Sequence, residues 1–143
     1  MNAESKVVVQ ATRGFDVPAE RVFDAWLDPR TAGKWLFATP GGEMVRVWID
    51  ARVGGAFCFV DRRGGEDVEH TGEYLEIDQP RRLAFTFAVP RYSPESTRVD
   101  IDIAPRQQGC VLALTHEGVL ADYAGRTEQG WKGILDGLAA VLG

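Results

Sequence analysis

The chain has 143 residues, 45% of them hydrophobic, and its 21 acidic and 16 basic side chains give a formal net charge of −5. This length and composition predict one globular domain over residues 1–143 and argue against wholesale disorder. The acidic balance argues against a nucleic-acid-binding protein, and no apolar run approaches the about 20 residues of a membrane-spanning helix.

The compartment follows from the N-terminal segment and the cysteines. Gln10 and Arg13 interrupt the short apolar run near the N-terminus, so no signal peptide is predicted and we expect a cytoplasmic protein that does not associate with membranes. Cys58 and Cys110 are the only cysteines, and both lie in apolar segments. Without a CxxC motif or an export signal, they are interpreted as reduced core thiols.

The first part of the chain predicts one strand and two short helices. The valine-rich segment 6–17 is typical of a strand. The segment DVPAERVFDAWL then changes to helical spacing, with Pro18 in the first turn and Trp26 on the apolar face. Asp28 as an N-cap and Gly33 as a terminator indicate a second, very short helix.

The middle of the chain, from residue 43 to residue 117, predicts six strands in hairpin order. Short apolar or alternating segments are separated by turn sequences such as RRGGED, which is typical of an antiparallel sheet. Gly72 indicates a bulge or bend within one strand. Alternation predicts a buried face formed by Leu83, Phe85, Phe87, Val89, Val99, Ile101, Ile103, Cys110, Leu112, Leu114 and His116, with Arg98, Asp100 and Asp102 exposed.

The chain closes with a long helix, predicted over roughly residues 121–142, that covers one face of the sheet and completes an α+β fold. Its glycines, Gly130, Gly133 and Gly137, share a narrow edge beside the apolar face. A glycine inside a helix costs about 0.5–1 kcal/mol relative to alanine. Two interpretations stay open: the glycines allow close packing, or they widen a cavity between helix and sheet.

These features resemble the START/Bet v 1-like superfamily, also called SRPBCC, and within it the bacterial group similar to the activator of heat-shock protein 90 ATPase. The matching stretches span residues 22–138 and are VFDAWLDPRTAGKW, VGGAFCF, HTGEYLEIDQPRRLAFTF, and LALTHEG followed by GWKGILDGL. The resemblance implies a helix-grip fold, in which a curved sheet of about seven strands wraps the C-terminal helix and a cavity lies between them. Members of the superfamily include lipid and polyketide binders, aromatase/cyclases and co-chaperone modules.

The aromatic residues are numerous for a core alone, so we predict that they help to line an apolar cavity of roughly 300–1,000 Å³. His116 is either a hydrogen-bonded histidine at the rim of the core or a cavity-mouth group that binds or protonates a ligand. Arg91 and Tyr92 lie in a loop that borders the predicted entrance. The predicted ligand-binding residues are Trp35, Phe37, Trp48, Phe57, Phe59, His70, Tyr74, Phe85, Phe87, Tyr92, His116, Gly130, Trp131 and Ile134.

The leading functional hypothesis is a protein that binds a small hydrophobic or aromatic ligand. No catalytic residue, metal or other cofactor is predicted, because neither a Cys/His cluster nor a nucleophile or nucleotide motif is present. One alternative is a cyclase- or hydrolase-like enzyme, which needs several polar groups converging in the cavity. Another is an interaction module that binds a chaperone through an exposed apolar patch. The sequence does not decide between a monomer and a homodimer.

Overall fold

The computed structural model describes residues 5–143; residues 1–4, at the start of the segment for which no signal peptide is predicted, lie outside the described part. The strands are β1 (Lys6–Phe15), β2 (Glu43–Ile49), β3 (Ala56–Arg63), β4 (Glu66–Asp78), β5 (Arg82–Phe87), β6 (Thr97–Arg106) and β7 (Gly109–Leu120). The helices are α1 (Ala19–Leu27), α2 (Pro29–Ala32) and α3 (Ala124–Leu142), the last preceded by a 3₁₀ turn at Ala121–Tyr123. This is the predicted helix-grip architecture.

All seven strands form one antiparallel sheet in the order β1-β7-β6-β5-β4-β3-β2. Consecutive strands from β2 to β7 pair as hairpins, and β1 returns to pair with β7. Since β1 and β2 lie at opposite edges of the sheet, the segment carrying α1 and α2 must cross from one edge to the other. At the β3–β4 turn, Gly64 and Gly65 adopt left-handed φ values of 56° and 83°, which suits glycine.

Strand β4 belongs to both halves of the sheet. Its first part pairs with β3 and its last part with β5, and the register shifts between Tyr74 and Glu76. The bulge therefore lies between Tyr74 and Glu76 and not at Gly72, the residue at which the sequence predicts it. Gly72 is instead a point of close approach, because a Cβ there would lie 1.9 Å from the carbonyl oxygen of Thr86 and 2.5 Å from the ring of Phe57.

The core lies between the concave face of the sheet and the helices. The predicted inward phase is confirmed for the buried residues Leu83, Phe85, Val99, Ile101, Ile103, Cys110, Leu112, Leu114 and His116, whereas Phe87 and Val89 are half-buried. Helix α3 closes this face with Trp131, Leu135 and Leu138, and α1 adds Val22, Phe23 and Trp26. Burial of these side chains holds α3 against the sheet.

Two predictions about exposure are wrong. Asp100 is only 8% exposed, because Arg98 and Arg82 cover its carboxylate; the Arg98 Nε–Asp100 Oδ1 distance is 2.8 Å. The hydrogen bond from Arg98, and secondly that from Arg82, lowers the pKa of Asp100. Cys58 is not a core thiol: its neighbours on β3, Phe57 and Phe59, take the inward positions, so its own side chain lies half-exposed on the opposite face.

Candidate ligand-binding site

A cleft of about 500 Å³ lies between the first half of α3 and one end of the sheet. Helix α3 forms one wall, and the segment after α2 together with residues from β3, β4, β5 and β7 forms the others. We refer to it as the α3 cleft. Its lining consists of Phe37, Ala38, Thr39, Pro40, Arg63, His70, Phe87, Val89, Tyr92, His116, Thr127, Gln129, Gly130, Trp131, Gly133 and Ile134.

Aromatic rings dominate one wall of the α3 cleft. The ring of Phe37 stacks on the rings of His70 and Phe87 at centroid distances of 4.8 and 5.0 Å, and its plane is tilted by 9° to each. Trp131 meets Phe37 edge-on at 6.1 Å. Phe37 has a left-handed φ of 62°, which a bulky side chain rarely adopts. Its stacking contacts offset the roughly 1–2 kcal/mol cost of that conformation.

The glycine edge of α3 differs along its length. Gly130 and Gly133 line the cleft, and a Cβ at either position would meet no atom of the described residues within 4 Å, apart from its chain neighbours and the backbone of its own helix. A Cβ at Gly137 would lie 3.7 Å from the Cβ of Trp35, an ordinary packing contact. The first two glycines therefore border open space, which favours the cavity interpretation for them, while Gly137 packs against the core.

His116 is the centre of a chain of hydrogen bonds across the cleft wall. Trp131 donates its Nε1–H to His116 Nδ1 at 3.0 Å. Because the indole can only donate, the proton of the neutral imidazole lies on Nε2. Nε2 then donates to Thr97 Oγ1 at 2.7 Å, and the Thr97 hydroxyl donates to the carbonyl oxygen of Phe87 at 3.0 Å.

These bonds favour the structural interpretation of His116 over the proton-donor interpretation. Burial lowers the pKa of His116 to about 4, so the ring is neutral at pH 7. Protonation would place a hydrogen on Nδ1, where the Trp131 N–H already points. Both ring nitrogens are thus occupied by protein partners, and neither is left for a ligand.

A polar cluster centred on Asp61 borders the cleft and contributes Thr39, Arg63 and His70 to its lining. Asp61 is 0% exposed, and its Oδ2 accepts hydrogen bonds from Arg63 Nε at 2.8 Å and from the Thr39 hydroxyl at 2.7 Å. The Nη2 group of Arg63 lies 3.2 Å from His70 Nε2 and 3.5 Å from the carbonyl oxygen of Phe37. The guanidinium therefore joins β3, β4 and the segment after α2.

The structure places His70 in the lining of the α3 cleft. Burial, and secondly the positive charge of Arg63, lowers the pKa of His70 to about 4. The neutral ring accepts from Arg63 through Nε2, because a guanidinium only donates. Its proton therefore sits on Nδ1, which is buried and has no hydrogen-bond partner among residues 5–143.

Several predicted site residues lie elsewhere. Trp35 is a core residue that meets Trp26 edge-on at 4.7 Å and donates its indole N–H to the carbonyl oxygen of Ala25. Four others surround a void of about 10 Å³, which is no larger than one water molecule. Those four are Phe57, Phe59, Tyr74 and Phe85. These five aromatics serve the core instead of the cleft.

Trp48 is predicted to bind the ligand, but it does not line the α3 cleft. Its side chain is 48% exposed, because Val47 and Ile49 on either side pack toward the core and alternation turns Trp48 to the opposite face. At the entrance, Tyr92 lines the cleft but is 68% exposed, and Arg91 pairs with Glu66 at the surface.

The sequence interpretation misses Asp61 and Arg63. The signal that would have found them is alternation along β3, which puts Phe57, Phe59, Asp61 and Arg63 on one face. Two charged residues at inward positions conflict with a purely apolar core, and a buried charge normally has a partner. That conflict would have indicated a paired polar site.

A second, larger depression of about 750 Å³ lies where β1 ends beside the β6–β7 turn. Its lining includes Arg13, Asp16, Arg106 and Gln107, and it lacks the aromatic walls of the α3 cleft. A polar, open lining of this kind is easily filled by water, so size alone does not make it the better candidate.

Within residues 5–143, no three His, Cys, Asp or Glu side chains come together as a metal site. None of the helices in this range is both long enough and apolar enough to cross a bilayer.

The chain is similar in sequence and in fold to known proteins. The family profile described as Activator of Hsp90 ATPase homolog 1-like protein matches residues 16–143. Among solved structures, protein CV1439 from Chromobacterium violaceum is 30% identical to the chain with a TM-score of 0.85, over 94% of this chain and 95% of that one. No curated protein matches the chain.

More distant structures are similar in fold. The AHSA1-like protein from Aeromonas hydrophila is 23% identical with a TM-score of 0.83, over 95% of this chain and 92% of that one. A Staphylococcus aureus protein, SA2116, described as being of unknown function, is 16% identical with a TM-score of 0.85, over 98% and 96% of the two chains. At these identities the likeness concerns the fold alone.

Proposed function

The chain belongs to the family of Activator of Hsp90 ATPase homolog 1-like proteins, as its sequence motifs predict, and we propose that it binds a small hydrophobic or aromatic ligand in the α3 cleft. The observation that carries this proposal is the aromatic wall opposite a helix edge without side chains. Phe37 and Phe87 supply that wall, and Trp131 adds a ring from the helix itself, while Gly130 and Gly133 leave the space open.

The dimensions and the ring geometry support this proposal. The cleft volume of about 500 Å³ falls within the roughly 300–1,000 Å³ range of small-molecule pockets. The rings of Phe37, His70 and Phe87 lie within 17° of parallel. A flat apolar ligand can stack against such a set of rings in an offset arrangement, which aromatic groups prefer to a face-to-face sandwich.

Binding without catalysis fits the hydrogen bonds better than the enzyme alternative does. A hydrolase or cyclase needs a general acid or base that reaches the substrate. Both nitrogens of His116 are occupied by Trp131 and Thr97, while His70 Nε2 accepts from Arg63 and His70 Nδ1 is buried away from solvent. The imidazoles that line the cleft therefore hold the walls together.

The proposal is tested with the neutral fluorescent probe N-phenyl-1-naphthylamine. Wild-type protein should bind it saturably with increased emission, since the probe enters an apolar environment. Gly130→Leu places a side chain in the cleft and should weaken binding at least about tenfold, because it removes the volume that the probe needs.

Gly125→Leu is the matched control, because Gly125 is on the same helix, has equally open space around it and does not line the cleft. Both variants change helix propensity in the same direction, so only the effect on the cleft differs. Equal probe binding by all three proteins, or no saturable binding by the wild type, would overturn the proposal. Native mass spectrometry of the purified protein gives a second readout, a retained ligand mass that Gly130→Leu loses.

A further inference from the structure

We propose that the ligand carries a carboxylate and that the Arg63 guanidinium binds it at the polar part of the α3 cleft. This inference rests on the proposed function and adds the chemical class of the ligand: an apolar or aromatic monocarboxylic acid. The sequence places Arg91 and Tyr92 at the predicted entrance, but Arg91 is held by Glu66 outside the cleft. Arg63 lies in the cleft itself.

Arg63 is the one permanently charged side chain among the described residues that line the cleft. The other lining groups are apolar, neutral hydroxyl and amide groups, or histidines that are neutral at pH 7. The Arg63 side chain is 31% exposed, so it is reachable from solvent. An anionic ligand group can therefore pair with one cation in the cleft, Arg63. One cation balances the single charge of a carboxylate better than the double charge of a phosphate dianion.

The guanidinium is held in place before any ligand arrives. Nε is bonded to Asp61 Oδ2, and Nη2 is directed to His70 Nε2 and the carbonyl oxygen of Phe37. Among residues 5–143, the two Nη1 hydrogens have no hydrogen-bond partner. A pre-organised donor costs less side-chain entropy on binding, and arginine offers its hydrogens in a planar arrangement that suits a carboxylate.

Asp61 positions Arg63 without occupying its free side. The Asp61 carboxylate is 0% exposed and does not line the cleft. A ligand carboxylate approaching Nη1 thus meets the guanidinium first, with Asp61 behind it. The partial neutralisation by Asp61 reduces the attraction, but a charge-assisted hydrogen bond is still stronger than one to a neutral carbonyl. The expected preference for the carboxylate is about tenfold.

Two ligands of the same ring system test this preference. The dissociation constants of 2-naphthoate and of the neutral ketone 2-acetonaphthone are measured by titration calorimetry at pH 7.5. Wild-type protein should bind 2-naphthoate about tenfold more tightly. In the double variant Asp61→Asn/Arg63→Met this ratio should fall to about one, because the donor is removed without leaving a buried carboxylate unpaired.

Arg91→Met is the matched control: it also removes one surface-accessible arginine, but from outside the cleft, and it should keep the wild-type ratio. If the double variant does not fold, Arg63→Lys replaces it. Lysine keeps a positive charge beside Asp61 but lacks the guanidinium and therefore its separate Nη1 group, so the ratio should fall severalfold. An unchanged ratio in either variant overturns the inference.

The inference and the proposed function fail in distinguishable ways. If 2-acetonaphthone binds and 2-naphthoate binds no more tightly, the carboxylate inference is wrong and the apolar cleft stands. If neither naphthyl ligand nor N-phenyl-1-naphthylamine binds, both are wrong.

Discussion

The indole of Trp131 donates to His116 Nδ1 at 3.0 Å, and this bond ties α3 to β7 at the wall of the α3 cleft. Trp131 also contacts Phe37 and Phe87 edge-on, at centroid distances of 6.1 and 6.3 Å. The same side chain therefore anchors the helix, orients His116 and forms part of the aromatic wall. Changes at this contact should affect stability and cleft shape together.

Trp131→Phe should destabilise the protein by about 1–3 kcal/mol, because it leaves His116 Nδ1 buried without a donor and removes part of the buried ring. Urea denaturation measures the change in the free energy of unfolding. A double-mutant cycle with His116→Leu isolates the coupling, which should be about 1 kcal/mol. Additive effects of the two substitutions would mean that the hydrogen bond contributes nothing.

The two histidines predict a loss of stability in mild acid. Burial lowers the pKa of both His70 and His116 to about 4 in the folded state, against about 6.5 in the unfolded chain. The unfolded state therefore binds more protons between these values, and the free energy of unfolding falls as the pH drops from about 6.5 towards 4. Each histidine contributes up to about 1.4 kcal/mol per pH unit in this window.

Urea denaturation at pH 7.5, 6 and 5 measures this dependence. In His116→Gln one of the two groups is absent, so the loss of stability from pH 6 to pH 5 should be roughly half that of the wild type. A free energy of unfolding that stays constant from pH 7.5 to 5 would contradict the assignment of both histidines as neutral and buried.

Gly72→Ala should be strongly destabilising, by about 3 kcal/mol or more, because the new methyl group would overlap the carbonyl oxygen of Thr86, a backbone atom that cannot turn away. Thermal denaturation compares this variant with Gly125→Ala, whose Cβ meets open space. The control should be stabilised by a fraction of a kcal/mol. Similar melting temperatures for the two variants would show that β4 is not held so close to β5.

The three glycines on the edge of α3 should respond differently to alanine. Gly130→Ala and Gly133→Ala should each stabilise the protein by about 0.4–1 kcal/mol, since each methyl group meets open space. The same methyl groups enter the cleft and should weaken N-phenyl-1-naphthylamine binding. Gly137→Ala should also be stabilising, because its 3.7 Å contact with Trp35 is an ordinary one, but it should leave binding unchanged. If all three variants were more stable and bound the probe as the wild type does, Gly130 and Gly133 would not border the space in which the probe binds.

Local patterns in the sequence predict most of the fold. Period-two alternation places Val99, Ile101 and Ile103 inward. Asp28 caps α2 by accepting the N–H of Arg30, and Gly33 ends that helix. These features depend on neighbours a few residues away along the chain, and a sequence displays such neighbours directly. Part of the cleft follows in the same way, since Trp131 and Gly130 lie on adjacent edges of one helix.

The composition of the cleft depends on strand register, which the tertiary structure decides. Pairing of Phe59 with His70 across β3 and β4 brings the imidazole beside Arg63. The Asp61 carboxylate, which pairs with Arg63, also accepts a hydrogen bond from Thr39, a residue from a distant segment. Contacts between these separate segments cannot be predicted from the order of residues within any one of them.

The same physical reason explains the errors in the sequence predictions. Asp100 follows the outward phase of β6, yet Arg82 from β5 and Arg98 cover its carboxylate. Trp48 carries a large aromatic ring that is typical of a core, yet it lies on the face of β2 opposite the core, where it stays 48% exposed. The sequence by itself determined which side chains alternate. Only the tertiary structure decided which of them found a partner, because the partners come from segments that are far apart along the chain.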